Sequence, residues 1–262
     1  MKQKFDGLAD DYDNFRPRYP DTLLKAIVAR IPDKDRPYVI DAGAGTGIAL
    51  EGLIPLLPSG ARIDAVDISD DMVKEGRVKY PLVSWHVKAA ESFLEQTKGA
   101  DLVVAAQAYQ WMDRPRFLRA VHSCLASHGV IAILQNNRHF INEPFLDAYE
   151  SLLEEMSPGY SRHYRSFDIA AELQGVFVRV ETERLSWPLR MPAANFLKMA
   201  QSSTQVQRAI DAHGEVFKKR LRELVEIHQL VNGEVSIRYV SEVFIAGDFP
   251  SQNLVSWGDY HD

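Results

Sequence analysis

The sequence predicts an α/β fold with a doubly wound, mostly parallel sheet of seven strands, and three observations carry that expectation. Short apolar runs alternate with helical patterns between residues 38 and 136, the signature of successive βαβ units. The first run, Val39-Ile40-Asp41-Ala42, passes directly into Gly43-Ala44-Gly45-Thr46-Gly47, a turn whose glycines let the backbone take unusual φ and lie against a ligand. The second run, Ala61 to Val66, ends in the carboxylate of Asp67, roughly twenty residues past the glycines, where doubly wound folds hydrogen-bond a ribose. Asp67 has a second reading, as a cap of the helix Asp70 to Lys79.

Taken in order, Phe5, Leu8, Ala9 and Tyr12 recur at helical spacing, and Arg16-Pro17-Arg18-Tyr19-Pro20 stops that helix. Asp21 is placed to cap a second helix with Leu23, Leu24, Ile27 and Val28 on its buried face. After the glycine turn a helix runs to about Leu57. Pro81 to Val87, Asp101 to Ala106 and Val130 to Leu134 read as strands three to five, with a helix from Pro115 to Ala126 and a turn at His128-Gly129. Beyond Gln135 the rhythm breaks: helices are expected over Pro144 to Met156, Phe167 to Gln174, Pro192 to Ser202 and Gln205 to Val231. The last should bury Val216, Leu221, Leu224, Val225 and Ile227. Val176 to Leu185 is strand six and Val235 to Ala246 strand seven. The organisation is thus an N-terminal helical lid (1–37), a ligand-binding core (38–136), cap helices with strand six (137–234), a last core strand (235–248) and a tail (249–262).

Composition narrows the function. The chain has 262 residues, 46% hydrophobic and 25% charged, enough for one large domain with a subdomain. A net charge of -6 without a Lys/Arg cluster argues against nucleic acid. The single cysteine, Cys124, excludes an internal disulfide and suits a reducing cytoplasm. No apolar run is long enough to span a membrane, and the charged, aromatic N-terminus lacks a signal-peptide core, so a cytoplasmic protein with no membrane partner is expected. His and Cys show no ligand spacing, so no metal is expected. The oligomeric state is not written in the sequence.

The glycine turn also discriminates between ligands. A dinucleotide fingerprint needs a third glycine three residues after the second, and that position is Ile48. Asp41 stands two residues ahead of the first glycine, a poor neighbour for phosphate and a good one for a cation. Asp41 to Gly47, Asp67, Ala90-Glu91 after strand three and the loop after strand four together resemble a class I methyltransferase that uses S-adenosylmethionine, with a Rossmann-like core. Phe5 to Tyr12, Arg16-Pro17-x-Tyr19-Pro20 and Gln110-Trp111 are similar to the trans-aconitate methyltransferase-like (methyltransferase type 11) group. The resemblance covers residues 5 to 135 well and the cap in outline. Many members have His before the Trp; Gln110 here removes a histidine-based role at that spot.

The resemblance implies that Ala42, Gly43 and Gly45 pass under the methionine part of the cofactor and that Asp41 addresses its ammonium, directly or through water. It implies that Asp67 holds both ribose hydroxyls while Ile68 and Met72 pack on adenine. Ala90 and Glu91 would meet the adenine edge, and Ala106 or Gln107 the methionine backbone. Tyr12, Arg18 and Tyr19 are candidates to close over the cofactor, Arg18 by pairing with its carboxylate. Glu91 reads equally as a solvated first-turn acid, Arg18 as a surface arginine and Tyr12 as lid packing. The expected chemistry is transfer of the sulfonium methyl to N or O of a small molecule, chiefly by proximity and water exclusion. For any deprotonation the candidates are His139, His163, Tyr109 and Tyr12, His139 being the best placed. Tyr109, Trp111, His139, His163 and Tyr164 are the expected substrate residues, although a lone loop histidine is also commonly structural. Arg162, His163 and Arg165 read either as an anion site or as a solvated loop. Two acceptors stay open, a ring nitrogen and a carboxylate oxygen, as does a non-catalytic protein on the same scaffold.

Overall fold

Val39 and Ile40 are apolar on both sides of the pleat because their strand lies inside the sheet, where helices cover both faces. In the computed structural model, which describes residues 16–249, β1 (Tyr38–Ala42) is buried at every position. It sits between β2 (Arg62–Asp67) and β4 (Ala100–Ala106) in a seven-stranded sheet of order β3-β2-β1-β4-β5-β7-β6. β3 (Ser84–Val87) and β5 (Leu125–Arg138) complete the parallel part, and β7 (Glu234–Gly247) runs antiparallel between β5 and β6 (Arg179–Pro192). The expected helix over Phe5 to Asp13, with Tyr12, and the tail beyond 249 lie outside the described residues.

The alternation along the central strands divides the core in two. Val39, Leu102, Val104, Val130 and Ala132 face α1 (Asp21–Val28) and α2 (Ile48–Leu53). Ile40, Val103, Ala105, Ile131 and Ile133 face α4 (Ala90–Leu94), α5 (Arg114–Cys124) and α7 (Ile169–Gln174). Between β2 and β3, α3 (Asp70–Lys79) is capped by Ser69, whose hydroxyl accepts from Met72 N at 3.5 Å. Ser69, not Asp67, therefore caps this helix. Likewise Asp21 is the first residue of α1 and makes no cap hydrogen bond; Pro20 precedes it.

Several elements differ from their sequence expectation. β5 extends well beyond Val130 to Leu134, since β7 supplies backbone partners as far as Arg138↔Tyr239. Strand six starts at Arg179 and runs to Pro192, because it forms a long hairpin with β7 rather than an alternating strand of its own. The helix expected over Gln205 to Val231 is two, α9 (Thr204–His213) and α10 (Glu215–His228), broken at Gly214 with φ +53. The break rotates the buried stripe to Phe217, Leu221 and Val225, leaving Val216 and Ile227 62% and 77% exposed.

The hairpin explains where the cap goes. β7 leaves β5 at Tyr239 but stays paired with β6 from Arg238 to Glu234, so the hairpin overhangs the C-terminal edge of the parallel strands. On this overhang α6 (Pro144–Met156), α8 (Ala193–Gln201), α9 and α10 bury Phe145, Tyr149, Phe196, Phe217 and Leu221 against Val235 and Ile237. The cap thus has its own apolar core, placed over the strand ends where ligands of such sheets bind. Among the described residues no helix is long and apolar enough to cross a membrane.

Candidate functional site

The glycine turn after β1 takes left-handed φ at Gly43 (+76), Gly45 (+56) and Gly47 (+89), and its first amides are tied to β2, Gly43 N and Ala44 N donating to Val66 O at 2.8 and 3.0 Å. At Gly43 a Cβ would come within 2.5 Å of Ala108 Cβ, while at Gly45 it would meet nothing within 4 Å. The first glycine is required by packing and the second leaves open space for something else. Asp67 stitches this turn to the next one: Oδ2 accepts from Gly45 N at 2.9 Å and Oδ1 from Ser69 N at 2.8 Å. Burial raises its pKa and these amides oppose the shift. Each oxygen keeps a lone pair for a further donor.

These groups line a chamber with Gly43, Gly45, Asp67, Ile68, Met72, Ala90, Glu91, Ala106, Gln107 and Tyr19 in its wall, all named by the sequence. Ile68 is 56% exposed, an apolar shelf facing space. Glu91 is not a solvated acid: it is buried and its Oε1 accepts from Asp113 N at 2.9 Å, clamping the loop after β4. Ser69, Lys88, Ala108 and Met112 join the wall as well; loop geometry brings them in, and no spacing rule announces them.

Asp41 and Ala42 are fully buried at the end of β1 and are not part of that wall. Neither Asp41 oxygen has a hydrogen-bond partner among the described residues. Burial, with the charge of Asp67 behind it, pushes the Asp41 pKa up to about 8. A buried carboxyl in that state is one that a nearby cation would ionise. Arg18 is placed elsewhere: its Nε pairs with Glu51 at 2.9 Å on α2.

A second chamber adjoins the first, and Tyr19, Ile48, Gln107 and Trp111 border both. Its far side is ionic and aromatic. Arg138 pairs with Glu150 at 2.9 Å, and Tyr160 donates its hydroxyl to the same carboxylate. Arg162 is held by Asp147 at 2.5 Å and Glu154 at 2.8 Å. Arg165 donates to Asn137 Oδ1 at 2.7 Å and lies over the Tyr164 ring. His163, Tyr164 and Trp111 are in this wall, and the Trp111 and Tyr164 rings approach to 6.4 Å.

Two of the expected substrate residues, Tyr109 and His139, are in neither wall. Tyr109 points into the core against Phe117 and Phe167 and donates to Glu172 at 2.7 Å; burial raises its phenol pKa strongly. It opens the 3₁₀ turn Tyr109–Trp111, and three residues per turn send Tyr109 and Trp111 in different directions. His139 follows β5, its backbone N–H donating to Arg238 O at 2.8 Å. In their stead Arg16, Arg138, Glu150 and Tyr160 line the chamber. One signal for them was available: Glu150 interrupts the apolar stripe Leu146, Tyr149, Leu153 of α6, and a carboxylate on such a stripe needs a buried cation.

Residues 39–129 match the family described as a methyltransferase domain. The chain is 30% identical over 126 residues to trans-aconitate 2-methyltransferase of Variovorax paradoxus, covering 46% of this chain and 48% of that one. It is 28% identical over 198 residues to malonyl-[acyl-carrier protein] O-methyltransferase of Dechloromonas aromatica, covering 72% and 71%. Against the first curated relatives it matches, the aligned part spans 62%, 49% and 52% of their lengths. Among solved structures, one from Anaeromyxobacter dehalogenans, provisionally called a type II methyltransferase, superposes with a TM-score of 0.64 at 24% identity, covering 89% of this chain and 97% of that one. An S-adenosylmethionine-dependent methyltransferase from Geobacter sulfurreducens, in complex with S-adenosyl-L-homocysteine, does so at 0.54 and 12%, covering 94% and 98%. Both share the fold described above.

Proposed function

We propose, from the premise that this chain carries the domain and Rossmann-like fold of the class I S-adenosylmethionine-dependent methyltransferases, that it moves a methyl group from that cofactor to a small-molecule acceptor. The observation that carries the reading is the pair of chambers with a common border at Tyr19, Ile48, Gln107 and Trp111. Two reactants held on either side of such a border meet in line, and orientation of that kind supplies roughly 7–11 kcal/mol of a barrier.

The residues of the first chamber fit the cofactor. Asp67 has lone pairs for the two ribose hydroxyls, Ile68 and Met72 offer an apolar shelf for a purine, and the open space at Gly45 admits the methionine part. Asp41, buried behind the wall of this chamber and without a hydrogen-bond partner among the described residues, suits the α-ammonium through an intervening water. Bound there, S-adenosylmethionine supplies a methyl already activated by its positive sulfur. The chain's own residues then need only position, desolvate and release. Tyr19 and Trp111 exclude water at the border.

The second chamber supports an acceptor with an anionic group. Arg16, Arg138 and Arg165 line it, with Glu150 as the carboxylate among them, and guanidinium forks favour planar anions. The test is incubation with deuteromethyl-labelled S-adenosylmethionine and a small-molecule extract, read by mass spectrometry, beside calorimetry with S-adenosylhomocysteine. Labelled products and tight binding are expected. Binding with no labelled product would leave a non-catalytic cofactor-binding protein, and no binding would end the reading altogether.

A further inference from the structure

Gln107 closes β4 with φ +54, the left-handed region that an ordinary side chain avoids. Its backbone is fully used: N–H donates to Leu134 O at 2.9 Å and the carbonyl accepts from Gln110 Nε2 at 2.7 Å. The side-chain amide is anchored too, Nε2 donating to Asn136 O at 2.6 Å. Because that partner is a carbonyl, the nitrogen must face it, which fixes the amide's orientation. What remains is Oε1, buried and without a hydrogen-bond partner among the described residues. Gln110 Oε1, on the wall of the second chamber, is in the same condition.

Backbone strain and a stranded buried acceptor at one residue are two costs that the surroundings enforce. Both fall at the border between the two chambers. Resting on the reading of these chambers as donor and acceptor sites, we infer that Gln107 Oε1 accepts a hydrogen bond from the methyl-accepting atom itself, and that this atom is an N–H nitrogen rather than a carboxylate oxygen. A carboxylate oxygen carries no hydrogen and would set its charge against the negative end of the amide dipole. A hydroxyl would need a base, and an amide oxygen takes a hydrogen bond but not a proton. An amine reacts through its lone pair while an N–H hydrogen is still in place, so the bond to Gln107 turns the lone pair toward the methyl. The N–C bond then forms as the C–S bond breaks, the C–S electron pair stays on a neutral thioether sulfur, and the nitrogen sheds its proton to solvent. The arginines of the far wall hold the acceptor's anionic group, leaving its nitrogen to react.

The experiment sorts labelled products by the atom that carries the deuteromethyl group. The wild-type protein is given anthranilate, salicylate, phthalate and a small-molecule extract, with the labelled donor. Label on nitrogen, stable to mild alkali, is expected; label lost in alkali as a methyl ester, or found as an ether, overturns the inference while leaving the methyltransferase reading intact. Absence of any labelled product together with normal S-adenosylhomocysteine binding sinks both. With the acceptor in hand, Gln107→Gly relieves the strained φ and removes the oxygen. Its melting temperature should hold or rise, while turnover at saturating S-adenosylmethionine falls at least about tenfold. Gln107→Asn, which tolerates the left-handed φ, keeps the amide but withdraws the oxygen and should fall between the two. Full turnover in either variant refutes the role.

Discussion

The two chambers are built by opposite means. The first is built on turns that follow neighbouring strands: two left-handed glycines in its wall, amides pinned on Asp67 and the apolar shelf of Ile68 and Met72. The second is made of side chains from β5, α6, the loop before α7, and α8 and α9, brought together only by the β6–β7 overhang. On the proposed reading, the turns hold the donor and the acceptor is left to be chosen by substitution on the cap. The strongest way to break this contrast is in the cap. Arg138→Met strands Glu150, which is 3% exposed, and loss of one partner of a buried ion pair costs about 3–5 kcal/mol. Denaturant unfolding should record that loss, while Arg138→Met with Glu150→Leu recovers most of it. If the single variant is as stable as the parent, the pair is not a structural element of the cap.

The corresponding break in the first chamber acts on binding. Asp67→Ala removes the acceptor of the Gly45 and Ser69 amides together with the candidate ribose contact. Hydrogen bonds to a charged group are worth about 1.5–3 kcal/mol each, so S-adenosylhomocysteine affinity should fall by about 100-fold in calorimetry. A loss below about threefold would remove Asp67 from the site.

The same contrast decides what the sequence makes legible. Asp41, the glycine turn and Asp67 are readable because a strand, a turn and the next strand fix their positions within some thirty residues of one another. Glu91 is placed by the same rule, although its bond to Asp113 N is not. Tyr109 misleads because a 3₁₀ turn, unlike a helix or a strand, leaves no periodicity in three residues. Arg138 and Glu150 escape because one ends a long strand and the other lies inside the following helix, and no single periodicity runs across the turn that joins them. The sheet order beyond strand five is illegible for a related reason: β6 and β7 are long because they pair with each other, not because of their own patterns.

A sharper test uses protons. Asp41 is an acid whose folded pKa of about 8 exceeds its ordinary 3.8, so the native state binds the extra proton between those values. Stability of the ligand-free protein should therefore fall as pH rises through that interval, by up to about 1.4 kcal/mol per pH unit for this group. If Asp41 ionises against the cofactor's ammonium, binding releases a proton, and affinity should rise by up to about tenfold per pH unit between about pH 5 and 7.5. Calorimetry in buffers of differing ionisation enthalpy counts that proton. In Asp41→Asn both slopes should flatten; slopes unchanged from the parent would assign the proton to another group.

The smallest effect belongs to Arg18. The sequence reads it as a possible partner of the cofactor's carboxylate, yet its Nε pairs with Glu51 at 2.9 Å with both side chains more than a third exposed, and Arg18 is absent from the wall of the first chamber. An exposed pair of this kind contributes about 0–1 kcal/mol. Arg18→Ala should accordingly leave S-adenosylhomocysteine affinity within about twofold and stability within about 1 kcal/mol. A tenfold or larger loss of affinity would mean that Arg18 leaves Glu51 when ligand arrives, and the N-terminal segment, rather than the glycine turn alone, would then share in holding the donor.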